Sequence, residues 1–222
     1  MGSVRPGTAF RVAMNAHWEA LPAAVLEALR RVSAALEGTD FYLAGGTALA
    51  LRLGHRLSDD LDFFSSQFED VDELRAGLQK FLPDLTVTSV APRTLYGLLS
   101  GVQLSFFGYR YPLLAAPEKL APELLPVASV ADIAAMKLAA VASRGSRKDF
   151  VDLWFVLQQG IALPELLEWF QQKYQATDIG HVVRALVYFD DAEEEPELRM
   201  LQPAPWTEVK AFLRAAVERL LP

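Results

Sequence analysis

Near residue 115 the side-chain pattern of this chain changes character, and nothing else in it constrains the fold as strongly. Before that point, apolar residues recur with two different periods. Leu21, Val25, Leu29, Val32 and Leu36 form a helical stripe that ends at Gly38. Residues 41–44 are a short apolar run stopped by Gly45 and Gly46, which predicts a buried strand, and 47–53 predict a short helix closed by Gly54. Residues 61–64 alternate with a period of two, a second strand. Residues 70–82 form an amphipathic helix with Asp70 and Glu73 spaced as a capping box. Two or three strands follow, at 85–90, 94–100 and 102–109, the last two joined by a tight Ser100-Gly101 turn. After the proline-punctuated stretch from Pro112 to Pro126, every segment reads as helix: 129–143, 146–158, 164–174, 178–189 and 205–221. The acidic residues 190–197 read as a solvated loop. No internal repeat or low-complexity tract is present. The order predicts an α+β chain of two units, 1–115 and 116–222, with a cleft between them where polar residues converge.

Composition removes several classes of chemistry. The chain has no cysteine, which excludes disulfides, thiolate zinc sites and cysteine nucleophiles. Its three histidines, His17, His55 and His181, stand at no metal-ligand spacing. His17 and His181 have no acid or serine partner at an informative distance, and no nucleophile elbow exists for a serine hydrolase. A net charge of -7 argues against duplex DNA as a partner, though a local basic patch for one nucleotide or an RNA end remains compatible with it. The stretch from Met1 to Gly7 lacks a signal-peptide apolar region. The most apolar segment, 127–142, is interrupted by Asp132 and Lys137. The expectation is a soluble, cytoplasmic protein with no membrane partner.

The densest polar cluster is Gly45-Gly46-Thr47 followed by His55-Arg56-Leu57-Ser58-Asp59-Asp60-Leu61-Asp62. On a strand, Asp60 and Asp62 share one face, roughly 6–7 Å apart. Such a pair either clamps a hard cation together with substrate phosphates or sits on the outer face of an edge strand, where charge blocks pairing. Gly45-Gly46-Thr47 lies between a strand and a helix. Free N–H groups and the helix dipole there favour a phosphate, although a plain turn with a threonine N-cap has the same sequence. Its spacing is neither a Walker loop nor a dinucleotide fingerprint. Lys137 sits within an apolar helical arc, so it either snorkels outward or meets a buried anion. Ser129 with Asp132, and Ser146 with Asp149, are spaced as capping boxes, so Asp149 has a structural explanation. Asp152, among Val151, Leu153 and Trp154, has none. His55 and Arg56 either bind phosphate or cover the end of the short helix.

Together these residues resemble a known family. The stretch from Leu43 to Phe64 is similar to the signature of the AbiEii/AbiGii-type nucleotidyltransferases, toxins of type IV toxin–antitoxin (abortive-infection) systems within the DNA polymerase β-like superfamily. The later run Asp132-Ile-Ala-Ala-Met-Lys137, Arg144-Gly and Arg147-Lys-Asp-Phe-Val-Asp152 resembles that family's second block. The resemblance implies a nucleotidyltransferase-like mixed sheet with flanking helices, followed by a C-terminal helical bundle. It implies that Gly45, Gly46, Thr47, Arg56 and Ser58 hold a nucleoside triphosphate, and that Asp60 and Asp62 hold Mg²⁺ or Mn²⁺. It also implies that Lys137, Arg144 and Lys148 neutralise phosphate charge, while Asp149 and Asp152 orient that basic group or assist the nucleophile. The reaction implied is in-line attack of a hydroxyl on the α-phosphate, the acceptor being an RNA 3′ end such as tRNA, or a protein, with a cognate antitoxin as partner. One departure is visible: Ser105 stands where the superfamily usually carries a third carboxylate. A non-catalytic nucleotide-binding or interaction protein, or a transferase acting on small molecules, are the alternatives.

Overall fold

Alternation along three strands builds the surface on which the rest of the chain is arranged. The computed structural model describes residues 16–220. Met1 to Gly7, read above for a targeting signal, lies outside the described residues. Five strands, β1 (Tyr42–Ala44), β2 (Leu61–Ser65), β3 (Thr86–Ala91), β4 (Thr94–Leu99) and β5 (Val102–Gly108), form one mixed sheet in the order β1-β2-β5-β4-β3. β2 and β5 are parallel and the other pairs are antiparallel. Leu61, Phe63, Leu95, Leu104 and Phe106 point to one face and are fully buried, with the Phe63 and Phe106 rings stacked at 5.2 Å. Helices α1 (Ala23–Ala35) and α3 (Val71–Phe81) cover that face. Because side chains alternate, Asp62, Phe64, Ser105, Phe107, Thr94 and Tyr96 are committed to the opposite face.

Helix α2 (Gly45–Leu53) follows β1 without a linker and packs between the sheet and the helical half. That half comprises α4 (Val130–Arg144), α5 (Arg147–Gln158), α6 (Leu163–Tyr174), α7 (Gly180–Ala185), α8 (Asp190–Glu193) and α9 (Trp206–Glu218). Its connection to the sheet is itself hydrogen-bonded. Leu43 donates to the Pro126 carbonyl and Ala128 donates to the Leu43 carbonyl, both at 2.9 Å. Arg52 of α2 donates to the carbonyls of Ala128 and Val127 at 2.7 and 3.0 Å. Buried side chains from both halves form one continuous cluster. No single helix among the described residues is long and apolar enough to cross a membrane.

Four local expectations need correction. Asp60 precedes β2 rather than lying in it, because pairing with β5 starts at Leu61. Ser146 does not cap α5; its hydroxyl donates to Glu195 at 2.9 Å. Residues 190–197 are not a free loop, since Arg147 donates to the Ala192 and Glu193 carbonyls at the end of α8. The helix read over 178–189 is confined to α7, because the Asp178 carboxylate accepts the Gly180 N–H at 2.8 Å and delays its start.

The other box behaves differently. Ser129 caps α4 by accepting from the Asp132 N–H at 3.0 Å. Asp132 then binds Lys173 of α6 at 2.7 Å, with both side chains fully buried, and accepts from the Leu114 and Ala115 N–H groups. Removing one partner of a buried ion pair leaves an uncompensated charge, which costs about 3–5 kcal/mol. Lys173→Met is therefore expected to lower unfolding free energy by about that amount. Urea denaturation measures it, and a loss below about 1 kcal/mol would show that the pair contributes little.

Candidate active site

The strand face carrying Asp62 looks across a cleft of about 650 Å³ toward α4 and the start of α5. One wall begins at the first turn of α2. Gly45 has φ +70, and a Cβ there would lie 2.6 Å from Asp62 Oδ2. A Cβ on Gly46 would lie 2.5 Å from an Arg56 Nη and 3.7 Å from Lys137 Nζ. Both glycines are thus required by close approach. The N-cap of α2 is Ala44, whose side chain satisfies no N–H, so the first backbone donors of the helix point into the cleft without a side-chain partner.

Thr47 is not the N-cap. Its side chain is buried, and its hydroxyl donates to the Asp60 carbonyl and meets Ser58 Oγ at 2.8 Å. Thr47 and Ser58 therefore fix the loop that presents Asp60. Asp60 and Asp62 both line the cleft. Burial pushes the Asp62 carboxyl up, and the Ser105 hydroxyl and the Lys137 charge oppose that shift. Ser105 is the β5 partner of Asp62 in the parallel ladder. Its hydroxyl therefore faces Asp62 from the neighbouring strand.

Across the cleft, the ambiguity of Lys137 is resolved by a buried anion pair. Its ammonium lies 2.8 Å from Asp149 Oδ1 and 2.6 Å from Asp152 Oδ2. Burial alone would lower Lys137, but Asp152 and Asp149 outweigh it and hold the ammonium above its ordinary value. Arg144 makes a two-pronged contact with Asp149, at 2.8 and 3.0 Å. Arg56 does the same with Asp152, at 2.7 and 3.0 Å. Arg56 is therefore a buried brace for Asp152 that borders the cleft, rather than a free phosphate ligand. Lys148 lines the cleft half-buried, and its charge draws the Asp62 carboxyl down. Burial would raise Asp152, but Arg56, Lys137 and His55 hold its carboxyl well below the usual carboxylate range.

His55 is the residue that sequence reasoning left open. It is fully buried, and its Nε2 lies 2.8 Å from Asp152 Oδ1. Burial pushes its pKa down, so it is neutral near pH 7. No spacing could have paired His55 with an aspartate 97 positions away. Arg93, Phe107 and Tyr109, which form the far wall, also escaped notice.

Comparison with known proteins bears on the family and the fold. The profile described as nucleotidyl transferase AbiEii toxin, type IV TA system, matches residues 27–219. The chain belongs to this AbiEii family. A protein of Aquifex aeolicus, described only as uncharacterized, is 43% identical over 197 residues, covering 88% of this chain and 95% of the relative. MenT4, a nucleotidyltransferase toxin of Mycobacterium tuberculosis, is 20% identical with a TM-score of 0.57 over 88% of this chain and 84% of its own. A crystal structure from H. pylori, provisionally described as a nucleotidyltransferase, is 18% identical with a TM-score of 0.55, covering 90% and 95%. The last two share the nucleotidyltransferase-like fold. The AbiEii chain thus has the mixed sheet, flanking helices and C-terminal helices that its sequence motifs imply.

Two predictions follow from this geometry. Gly45→Ala should abolish nucleotide binding, because its Cβ displaces Asp62 and the positive φ adds about 1–2 kcal/mol of strain; wild-type affinity by calorimetry would contradict it. The second concerns pH. His55 has a depressed folded pKa, so the unfolded chain takes up a proton first as pH falls through about 6.5, and stability drops there. The slope is bounded at about 1.4 kcal/mol per pH unit. His55→Gln should flatten the fall in urea midpoint between about pH 7 and about pH 5.5; an unchanged slope would place the titration elsewhere.

Proposed function

We propose that this AbiEii-family protein is a Mg²⁺-dependent nucleotidyltransferase that moves a nucleotide from an NTP to a hydroxyl acceptor. It would act as the toxin of a type IV pair, with a cognate antitoxin as partner. The observation that carries the reading is the convergence, in one cleft, of a helix N-terminus, the Asp60 and Asp62 carboxylates, and the buried Lys137 pair. Residues 1–115 would supply the nucleotide-binding core, and 116–222 the helical unit that closes the cleft.

The donor set fits a hard cation. Asp60 and Asp62 border the cleft, Gly45 has no Cβ to fill the space beside Asp62, and Ser105 adds a hydroxyl. Among the described residues no group of three carboxylates or imidazoles converges. Two carboxylates suit a hard cation whose remaining ligands are phosphate oxygens and water. Asp60 and Asp62 would hold such an ion, whose charge would polarise the α-phosphate. The protein's own contribution is positional. The α2 N–H groups at Gly45 and Gly46 would take phosphate oxygens. Lys137, with Lys148 and the exposed side of Arg144, would meet the negative charge on the departing pyrophosphate. Asp149 and Asp152 would hold Lys137 in place rather than touch the acceptor.

The acceptor proposed is an RNA 3′ end such as tRNA, with a protein hydroxyl or a small molecule as the other outcomes. Incubation with each radiolabelled NTP, total RNA and Mg²⁺ is expected to label RNA. Asp60→Ala with Asp62→Ala should lower labelling at least ~100-fold and abolish Mg²⁺-dependent nucleotide binding while leaving circular dichroism unchanged. Undiminished labelling would refute the assignment.

Ser105 favours a second reading, a nucleotide-binding protein of weak or no catalytic power. Two carboxylates alone should bind free Mg²⁺ weakly until phosphates complete its shell. Ser105→Asp is expected to raise Mg²⁺ or Mn²⁺ affinity in calorimetry, because the position faces Asp62. Unchanged affinity would mean that the side chain at 105 does not reach the ion, and tight binding by the nucleotide-free parent that another acid already completes the site.

A further inference from the structure

β3 is the last strand of the sheet, and among the described residues no strand pairs with its outer edge. Of its six residues only Val87 is half-buried; the other five are exposed, Val90 to 52%. Such an edge is a template for another chain, and proteins usually blunt it with charge, proline or a covering element. Residues 85–91, Leu-Thr-Val-Thr-Ser-Val-Ala, hold no charged side chain and no proline. The chain as a whole carries a net charge of -7, so two copies repel one another except where charge is absent.

The one blunting device that β3 does carry is a bulge. Thr86 pairs with Leu98 and Val87 with Gly97, but Ser89 pairs with Tyr96, so Thr88 has no opposite residue on β4. The extra residue puts Val87 and Val90 on one face of the sheet, against Gly97 and Leu95, although they stand three positions apart. Thr86 and Ala91 share the other face, against Leu98 and Thr94. A regular incoming strand returns to the same face every two residues and cannot match that interval. A second β3 can, because it carries the same bulge.

We propose that β3 pairs antiparallel with β3 of a second copy of this chain, centred on Thr88 and Ser89. In that register Val87 faces Val90 of the other copy and Val90 faces its Val87. Thr88 meets Ser89, and Thr86 meets Ala91. The strand is its own complement, valine on valine and hydroxyl on hydroxyl, as an interface between identical subunits requires. The two five-stranded sheets become one of ten strands. None of the six β3 residues lines the cleft, so the pairing stands or falls separately from nucleotidyl transfer.

A seam of one strand pair lies at the weak end of protein interfaces, so sedimentation equilibrium over roughly 1–200 µM is the fitting measurement. The unmutated protein is expected to dimerise reversibly in that range, and a monomer throughout overturns the proposal. Val90→Lys should weaken the dimer about 5- to 30-fold, since it disrupts two symmetric valine pairs at once. Because the chain has no cysteine, the register can be read by crosslinking. Under mild oxidation, Thr86→Cys combined with Ala91→Cys should give a covalent dimer, while either single variant stays uncrosslinked. Within one chain the two positions lie roughly 16 Å apart, too far for a disulfide. Single variants that crosslink as fast as the double, or a dimer indifferent to Val90→Lys, would place the contact elsewhere and overturn the β3 pairing. Should a variant fail to fold, amide exchange of the unmutated protein at low and high concentration decides. Protection of residues 86–91 is expected to rise with concentration, and a rise confined to other segments contradicts the proposal.

Discussion

The Asp152 carboxylate ties together stretches of chain that are otherwise far apart. It accepts from His55 and Arg56 beyond the end of α2, and it pairs with Lys137 of α4 from its own place on α5. Taking a charge out of water costs several kcal/mol, so such a cluster persists only when its members compensate one another. Here two buried carboxylates, Asp149 and Asp152, meet two buried cations, Arg56 and Lys137, and His55 is kept neutral by burial. Arg144 adds its charge from the exposed rim. The balance explains why Lys137 keeps its proton despite burial, and why a positive ammonium can wait beside the α2 N-terminus.

The sheet supplies the opposing wall by a simpler constraint. Pairing of Leu61 with Leu104 and Phe63 with Phe106 commits the alternate residues Asp62 and Ser105 to the other face. Moving the register by one residue would bury Asp62 under α1 and expose Phe63. The glycines of α2 complete the arrangement, since any Cβ at 45 or 46 would occupy space that Asp62 and Arg56 already hold. Cleft geometry is therefore set by core packing on one side and by buried charge on the other.

Much of this was legible in the sequence. Periods of two and of 3.6 located β2 and the longer helices, the apolar run before Gly45 located β1, and of the two or three strands expected after α3 the structure has three. Lys137 and Asp152 were legible as charged groups inside apolar arcs, Gly45, Gly46, Asp60 and Asp62 as members of the densest polar cluster, and Asp149 through the family resemblance, since its spacing also reads as a cap. What stayed hidden depends on contacts distant in sequence. Thr47 was open between a phosphate ligand and a cap and Ser146 was read as a cap, but tertiary partners, the Asp60 carbonyl and Glu195, claim their hydroxyls. The short helix in the acidic segment is met by distant partners, Arg147 on its last carbonyls and Lys210 on Glu193. His55 and Arg93 have no signal at any fixed spacing, since one is defined by a partner on another helix and the other by a strained turn.

The central claim is that one cleft brings an NTP to the Asp60–Asp62 pair and within reach of Lys137. The most direct measurement is a crystal structure with Mn²⁺ and a non-hydrolysable NTP, read by anomalous scattering. The account predicts a Mn²⁺ peak at Asp60 and Asp62, with phosphate oxygens against the N–H groups of Gly45 and Gly46. A nucleotide bound outside this cleft, or Mn²⁺ held by Asp149 and Asp152 instead, would contradict it.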